Sequence, residues 1–247
     1  MESFWRWSVG LKEKKIASIV IPAKNEGVEI LLVLNRLQAS LDLDVEFLIV
    51  VDDEDDNTVK YVRDFDQGRG IFRIVINGLG QGPAYAIRTG INNSNSEIVV
   101  VTMADGSDDP KCIMQLIALV ERGVAIACAS RYMPGGQQIG AAFLKSHLSK
   151  LAGKSLRFFT RVGTSDATNS FKAYSLNFIK KVEIESESGF EMGIELVAKA
   201  IRHRELVAEI PTIWIERDRS HSNFKMKSWI PKYLRWYFYA LMPTRKI

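Results

Sequence analysis

Cysteine is scarce in this 247-residue chain: only Cys112 and Cys128 are present, in apolar surroundings and without metal-ligand spacing. That excludes a disulfide scaffold and predicts buried free thiols in a reducing compartment. Histidine is as rare, and His147, His203 and His221 are scattered, so none is given a catalytic role. No apolar run approaches the roughly 20 residues that a membrane-spanning helix needs. Residues 1–15 hold Phe4, Trp5 and Trp7 among charges but no continuous apolar core, so no signal peptide is expected. The net charge of +4 is too small to suggest nucleic acid. Its distribution says more. Asp52 to Asp56 form an acidic knot, while Arg217, Arg219, Lys225, Lys227, Lys232, Arg235, Arg245 and Lys246 make the tail basic. That asymmetry suits a metal-and-phosphate site with a membrane-facing edge, and we expect a cytoplasmic protein, peripheral on the membrane.

Hydrophobic residues make up 47% of the chain, enough for a substantial core in one large domain or two small ones. Buried-strand patterns at 16–21, 46–51, 71–76, 97–102 and 124–129 alternate with helical spacing at 28–37, 58–65, 83–91 and 110–122. This alternation predicts an α/β architecture around a mostly parallel sheet with right-handed crossovers. The strands run into PAKNE, DDEDD, MADGSDD and SRYMPGG, so four polar clusters fall on one sheet edge. Ligands of such sheets sit beyond the carboxyl ends of the strands.

The stretch around which the others are arranged is VVVTMADGSDDP, Val99 to Pro110. Its carboxylates and hydroxyl are hard oxygen donors, suited to Mg²⁺ or Mn²⁺. Asp108 and Asp109 fit helix capping as well as ligation; Asp105 comes too early to cap and is favoured as a ligand. GLGQG lacks the Gly-Lys-Ser/Thr of a phosphate loop and the spacing of a dinucleotide fingerprint, so its glycines are read as turn residues.

In the second half, Arg131 to Gln138 reads as a flexible loop and 141–161 as an amphipathic basic helix, either solvated or turned towards an acceptor. A short strand is expected at 171–174 and a helix at 189–201, with Glu195 facing either a loop base or solvent. The strand pattern at 206–214 contains Pro211, which places it at an edge or beside a bulge. WIPKYLRWYFYALM, Trp229 to Met242, packs aromatics beside Lys232 and Arg235, as in a headgroup region. The rival reading docks this helix on the protein's own core or on a second subunit. KYLRW begins with Lys232, so its likeness to a QxxRW motif is discounted.

SIVIPAKNE, EFLIVVDDEDDNT, GPAYAIRTGI, VVVTMADGSDDP, IACASRYMPGG, DATNSFKAY, GFEMGIELVAKA and the RDRSHSNFK region occur in this order from about Ser18 to Lys225. In order and spacing the chain resembles family 2 glycosyltransferases of the GT-A fold, and among them the polyprenyl-phosphate (dolichyl-phosphate) mannose or glucose synthases. The resemblance implies a Rossmann-like, mostly parallel mixed sheet flanked by helices. It divides the chain into an aromatic and basic segment (1–15), a catalytic domain (16–225) and a carboxyl-terminal amphipathic helix (226–247). It also implies that Pro22, Lys24 and Glu26 line the donor base and ribose, with Asp53, aided by Asp52, on the base and Ala104 beside the donor. Asp105 matches the second acid of the DXD motif, with Ser107 and Asp108 as further metal ligands. Arg131 and Lys145 face phosphate, Asp166 takes the place of the acceptor-side acid, and Arg217, Arg219 and Lys225 come from a loop over the diphosphate. The sequence departs from the family at Met103, where the first DXD acid would stand, and at Ser107, where Gln is frequent.

The activity implied is inverting transfer of a hexose from a nucleotide-diphosphate sugar to a lipid phosphate. The alternatives are transfer to a hydroxyl, which needs Asp166 as a base, and an inactive sugar-nucleotide-binding scaffold subunit. A nucleotidyltransferase would want a basic glycine loop after the first strand, and PAKNE is not one. A membrane-anchoring partner and an oligomer are compatible with the pattern.

Overall fold

A computed structural model describes residues 15–41, 44–141, 143–187, 189–216 and 226–242. Its centre is a seven-stranded sheet in the order β3-β2-β1-β4-β7-β5-β8. The strands are β1 (Ala17–Pro22), β2 (Val45–Val51), β3 (Phe72–Ile76), β4 (Ile98–Val101), β5 (Ile126–Ser130), β7 (Lys172–Ser175) and β8 (Val207–Pro211). All neighbouring pairs are parallel except those of β7, which runs antiparallel to both β4 and β5. The runs SIVIP, FLIVV and VVV are buried on both faces, as strands covered by helices must be.

Alternate residues of these strands feed two apolar layers. Val20, Leu48, Val50, Val99 and Val101 face one layer, with α3 (Pro83–Asn92), α7 (Met192–His203) and α8 (Met226–Leu241). Ile19, Ile21, Phe47, Ile49 and Val100 face the other, with α1 (Ile30–Ser40), α2 (Asn57–Asp66) and α4 (Ile113–Glu121). Gly90 of α3 lies so close to β1 that a Cβ there would stand 2.3 Å from Val20 Cγ1. The free cysteines are buried, and burial pushes both thiols up, Cys128 to about 11.

The expected elements recur with shifted ends, and two of the three differences have plain causes. The single strand read over 206–214 is split: β8 ends at Pro211, which cannot donate to a ladder, and β9 (Ile213–Ile215) leaves the main sheet. The loop read over 131–138 ends in β6 (Gln137–Ile139), which pairs in parallel with β9 as a separate ribbon. A short helix, α6 (Leu176–Lys181), follows β7 where none was expected. The basic helix is α5 (Phe143–Thr160). It crosses the loop before β7 at Gly153, where a Cβ would lie 2.0 Å from the Ser165 carbonyl oxygen. The carboxyl-terminal helix α8 packs on α7 and α5, with Trp236 and Ala240 buried.

Candidate active site

The carboxyl ends of β1, β2, β4 and β5 share one edge of the sheet, and β7 begins there because it is antiparallel. Residues 22–26, 52–56, 102–109 and 130–136 therefore converge with the 164–170 segment. The chain order alone fixes this meeting.

On the β1–β2 side, the Lys24 ammonium donates to Asp52 Oδ2 at 2.8 Å, and Asp52 Oδ1 accepts from Asn77 Nδ2 at 3.1 Å. The Asp52 hydrogen bond and charge hold the Lys24 pKa above its ordinary value. Asp56 is buried and accepts from the amides of Asn25 (2.9 Å) and Thr58 (2.8 Å). It pins Asn25 in a left-handed conformation (φ 55°), turning the chain after Pro22. Asp53 is exposed. Glu26 is half-buried, and burial together with the Asp105 charge raises its pKa, so the acid after β1 feels the one after β4.

Asp105 stands exposed on the turn after β4 and accepts from the Ser107 amide at 2.9 Å, beside the buried Ala104. Ser107 and Asp108, the other two implied ligands, are both buried. Asp108 Oδ2 accepts from Thr102 Oγ1 at 3.0 Å and the Met103 amide at 3.1 Å, tying the strand end to the turn. Burial, reinforced by Asp105, pushes its carboxyl up to about 7. Capping falls to Asp109 instead, which accepts from the Lys111 amide at 3.2 Å. The Ser107 carbonyl accepts from the Ile215 amide at 3.1 Å, linking this turn to β9. Among the described residues no three Asp, Glu, His or Cys side chains gather into a metal cage. The donor set at Asp105 is oxygen, as a hard cation requires, but a cation there would need further ligands from a bound diphosphate.

Arg36 of α1 is a site residue that sequence reasoning missed. Its guanidinium donates to the carbonyls of Gly106 (2.7 Å) and Asp108 (3.2 Å), clamping the Asp105 turn. In sequence it is one arginine on a helix, and only the contact 70 residues away gives it meaning. We expect Arg36→Ala to cost about 1–3 kcal/mol, since it strands two carbonyls served by a charged donor. The fall in Tm checks this, and an unchanged Tm would refute the clamp.

On the β5–β7 side Arg131 and Asp166 form a two-pronged pair. Nε donates to Oδ2 at 2.7 Å, Nη2 to Oδ1 at 2.8 Å, and the Arg131 amide adds a bond to Oδ2 at 3.0 Å. The Arg131 side chain is 10% exposed and that of Asp166 0%. Burial opposes both charges, but the pairing outweighs it: the carboxyl lies below its usual range and the guanidinium above its own. Tyr132 and Trp214 present ring faces to the guanidinium at 4.9 and 6.0 Å. Ser149 of α5 bonds Thr168 at 2.6 Å beside the pair. Behind them Lys172 is wholly buried and donates to the carbonyls of Ala167 and Asn169; burial lowers its pKa. Glu195 faces inwards, accepting from the amides of Glu185 and Ser186 and from Lys199, and so braces the 183–187 segment. The Lys145 side chain and residues Arg217, Arg219 and Lys225 lie outside the described residues, as does His221.

A polyprenol monophosphomannose synthase from Mycolicibacterium smegmatis is 28% identical over 207 residues, covering 81% of this chain and 77% of that protein. A dolichol-phosphate mannosyltransferase from Pyrococcus furiosus is 27% identical over 229 residues; the match spans 91% of this chain but 63% of the Pyrococcus protein. Among solved structures, glucosyl-3-phosphoglycerate synthase from Mycobacterium tuberculosis superposes with a TM-score of 0.67 at 17% identity, over 91% of this chain and 80% of that one. That structure holds Mn²⁺, uridine-diphosphate-glucose and phosphoglyceric acid, and another of the same enzyme holds Mg²⁺ and uridine-diphosphate. The likeness identifies the architecture as the GT-A fold. A family model described as glycosyl transferase family 2 matches residues 18–183, two thirds of the sequence, and the chain belongs to that family.

Proposed function

We propose that the chain is an inverting hexosyltransferase that moves a hexose from a nucleotide-diphosphate sugar to a polyprenyl phosphate at a membrane face. The observation that carries this reading is the Arg131–Asp166 pair, a guanidinium held charged and in fixed orientation on the same strand-end edge as Asp105. The names of the two sequence relatives support a polyprenyl phosphate acceptor and a mannosyl donor class.

In this reading Lys24, Glu26, Asp52 and Asp53 bind the nucleoside, with Pro22 and Ala104 shaping the floor. Asp105, together with diphosphate oxygens, would hold Mg²⁺ or Mn²⁺, which supplies neutralisation of charge on the leaving diphosphate. Arg131 orients the acceptor phosphate, whose ionised oxygen attacks the anomeric carbon from the face opposite the leaving group. The new carbon–oxygen bond forms as the bond to the donor's β-phosphate breaks, and the nucleoside diphosphate takes the electron pair. No base is required. That fits Asp166, whose two oxygens are occupied by Arg131 and whose depressed pKa makes it a poor proton acceptor. Asp166 is therefore a positioning residue, and a hydroxyl acceptor that must be deprotonated is disfavoured. Arg217, Arg219, Lys225 and Lys145 are proposed phosphate contacts on sequence grounds.

The test is a melting-temperature screen of GDP-, UDP-, CDP- and dTDP-sugars with and without Mg²⁺ or Mn²⁺. Transfer assays to a short-chain polyprenyl phosphate and to the free polyprenol follow. We expect one base to raise Tm in a metal-dependent way and product to form only with the phosphate. Equal transfer to the alcohol would refute the acceptor assignment. Met103 favours a second reading, a sugar-nucleotide-binding subunit without activity; a nucleotide shift with no turnover under either metal would select it.

A further inference from the structure

Helix α5 is divided lengthwise into three sectors. At 3.6 residues per turn, Ser149, Gly153 and Leu156 fall on the side turned to the protein, where Leu156 is 0% exposed. Leu148, Leu151, Phe158 and Phe159 fall together on a second sector and are 46%, 68%, 78% and 65% exposed. Lys150, Lys154 and Arg157 make a third sector alongside it, continued by Arg161 just past the helix end. Lys150, Lys154 and Arg161 are exposed and have no ion-pair partner among the described residues, whereas Arg157 pairs with Glu209. The sequence FLKSHLSKLAGKSLRFFT contains no acid.

Helix α8 repeats the arrangement. Trp236 and Ala240 are buried, while Ile230, Leu234, Phe238 and Leu241 share an outer face and are exposed. The two helices touch beside these outer faces, where Ser155 of α5 and Tyr237 of α8 share a hydrogen bond of 2.9 Å. An open cavity of about 470 Å³ at the end of α5 is lined by Lys154, Arg157, Phe158 and Arg161 together with Val162 and Gly163. Large exposed apolar patches mark interaction sites, and here charge selects the partner. A second copy docking by the same face would set these cations against their own kind. An anionic lipid surface complements them, and a wide apolar sector beside a basic one is the pattern of helices lying in the interfacial plane.

We propose that the joined outer face of α5 and α8 lies on an anionic membrane surface. Leu148, Leu151, Phe158 and Phe159 enter the boundary between headgroups and acyl chains, and Lys150, Lys154 and Arg161 meet lipid phosphates. This holds whatever the enzyme transfers. If the transfer reading also holds, the inner face of the same helix carries Ser149 beside Arg131 and Thr168. The guanidinium then sits about one helix diameter, roughly 10 Å, from the lipid, within reach of a phosphate still anchored in the bilayer.

The experiment is co-flotation of the full chain with vesicles of phosphatidylcholine alone or of equal parts phosphatidylcholine and phosphatidylglycerol. Leu151→Ser/Phe158→Ser and Lys150→Glu/Lys154→Glu are compared, with Tm confirming that each is folded. We expect binding to the mixed vesicles, weak binding to phosphatidylcholine, and loss of the preference at high salt. Each charge reversal should lower partition by roughly tenfold, and the serine variant should stay in the lower fractions. Native protein that floats on neither vesicle, floats equally on both, or is unaffected by either variant overturns the proposal. So does a dimer that the serine variant makes monomeric. Flotation without transfer to any polyprenyl phosphate would defeat the functional reading and leave this one standing.

Discussion

Asp166→Ala should destabilise the protein by about 3–5 kcal/mol, because it leaves the Arg131 guanidinium buried without its counter-ion. Asp166 is 0% exposed and takes three bonds from Arg131, through Nε, Nη2 and the backbone amide. The ring faces of Tyr132 and Trp214 offer only partial compensation. Asp166→Asn preserves shape and some hydrogen bonding, so its loss should be smaller. Its transfer rate separates the two roles discussed for this acid. A drop of roughly 10- to 100-fold with a phosphate acceptor is expected of a group that positions Arg131, whereas a base would lose nearly all activity. A pH profile adds a second readout. A carboxyl whose folded pKa lies below its free value near 3.8 stabilises the fold above that value and loses this contribution as pH falls through the folded one. Urea midpoints should therefore fall in acid more steeply for the native chain than for Asp166→Asn. Equal midpoints for the two proteins at neutral pH would sink the argument.

What was legible beforehand follows from which interactions are local. The strands of the first half are apolar runs ending in polar clusters, and their parallel pairing follows from alternation with helices. That is why the edge holding Lys24, Asp52, Asp105 and Arg131 could be anticipated. The ribbon of β6 and β9 could not, because neither QQI nor IWI carries a period; each strand exists only because the other is there. The same holds for Arg36 and Asn77, single polar residues whose partners lie 70 and 25 positions away. Asp108 and Asp109 were indistinguishable in sequence, and the fold separates them: one is drawn beneath the strand end, the other caps the next turn. The carboxyl-terminal helix was read either as a headgroup-facing element or as one docked on the protein's own core or a second subunit; it docks on the core through Trp236 and Ala240 and leaves Ile230, Leu234 and Phe238 exposed.

Asp105→Ala should lower transfer by about a thousandfold or more while leaving the fold nearly intact. The side chain is exposed and its bond to the Ser107 amide stays within its own turn, so the structural loss is limited to about 0.5–1.5 kcal/mol. In the proposed reaction the catalytic loss is larger because charge would build on the leaving diphosphate, and preorganised neutralisation of such charge is usually the largest contribution to rate. With Met103 in place of a second acid, Asp105 is the one exposed carboxylate of the β4 turn in the family's motif position, so no neighbour there substitutes for it. Asp108 does not, since it is buried and its Oδ2 is committed to Thr102 and Met103. Two measurements check this: the metal-dependent rise in Tm with nucleotide-sugar should vanish in Asp105→Ala, and kcat should fall far more than KM rises. A variant that keeps its metal response would move the cation elsewhere. Met103→Asp probes the same point from the other side. In the absence of metal a new acid beside Asp108, whose Oδ2 already accepts from the Met103 amide, adds like charge to a carboxyl whose pKa is already raised, so Tm should fall. With Mg²⁺ or Mn²⁺ present that penalty should reverse, because two carboxylates then share one cation, and the metal concentration needed for half-maximal shift should drop by roughly tenfold.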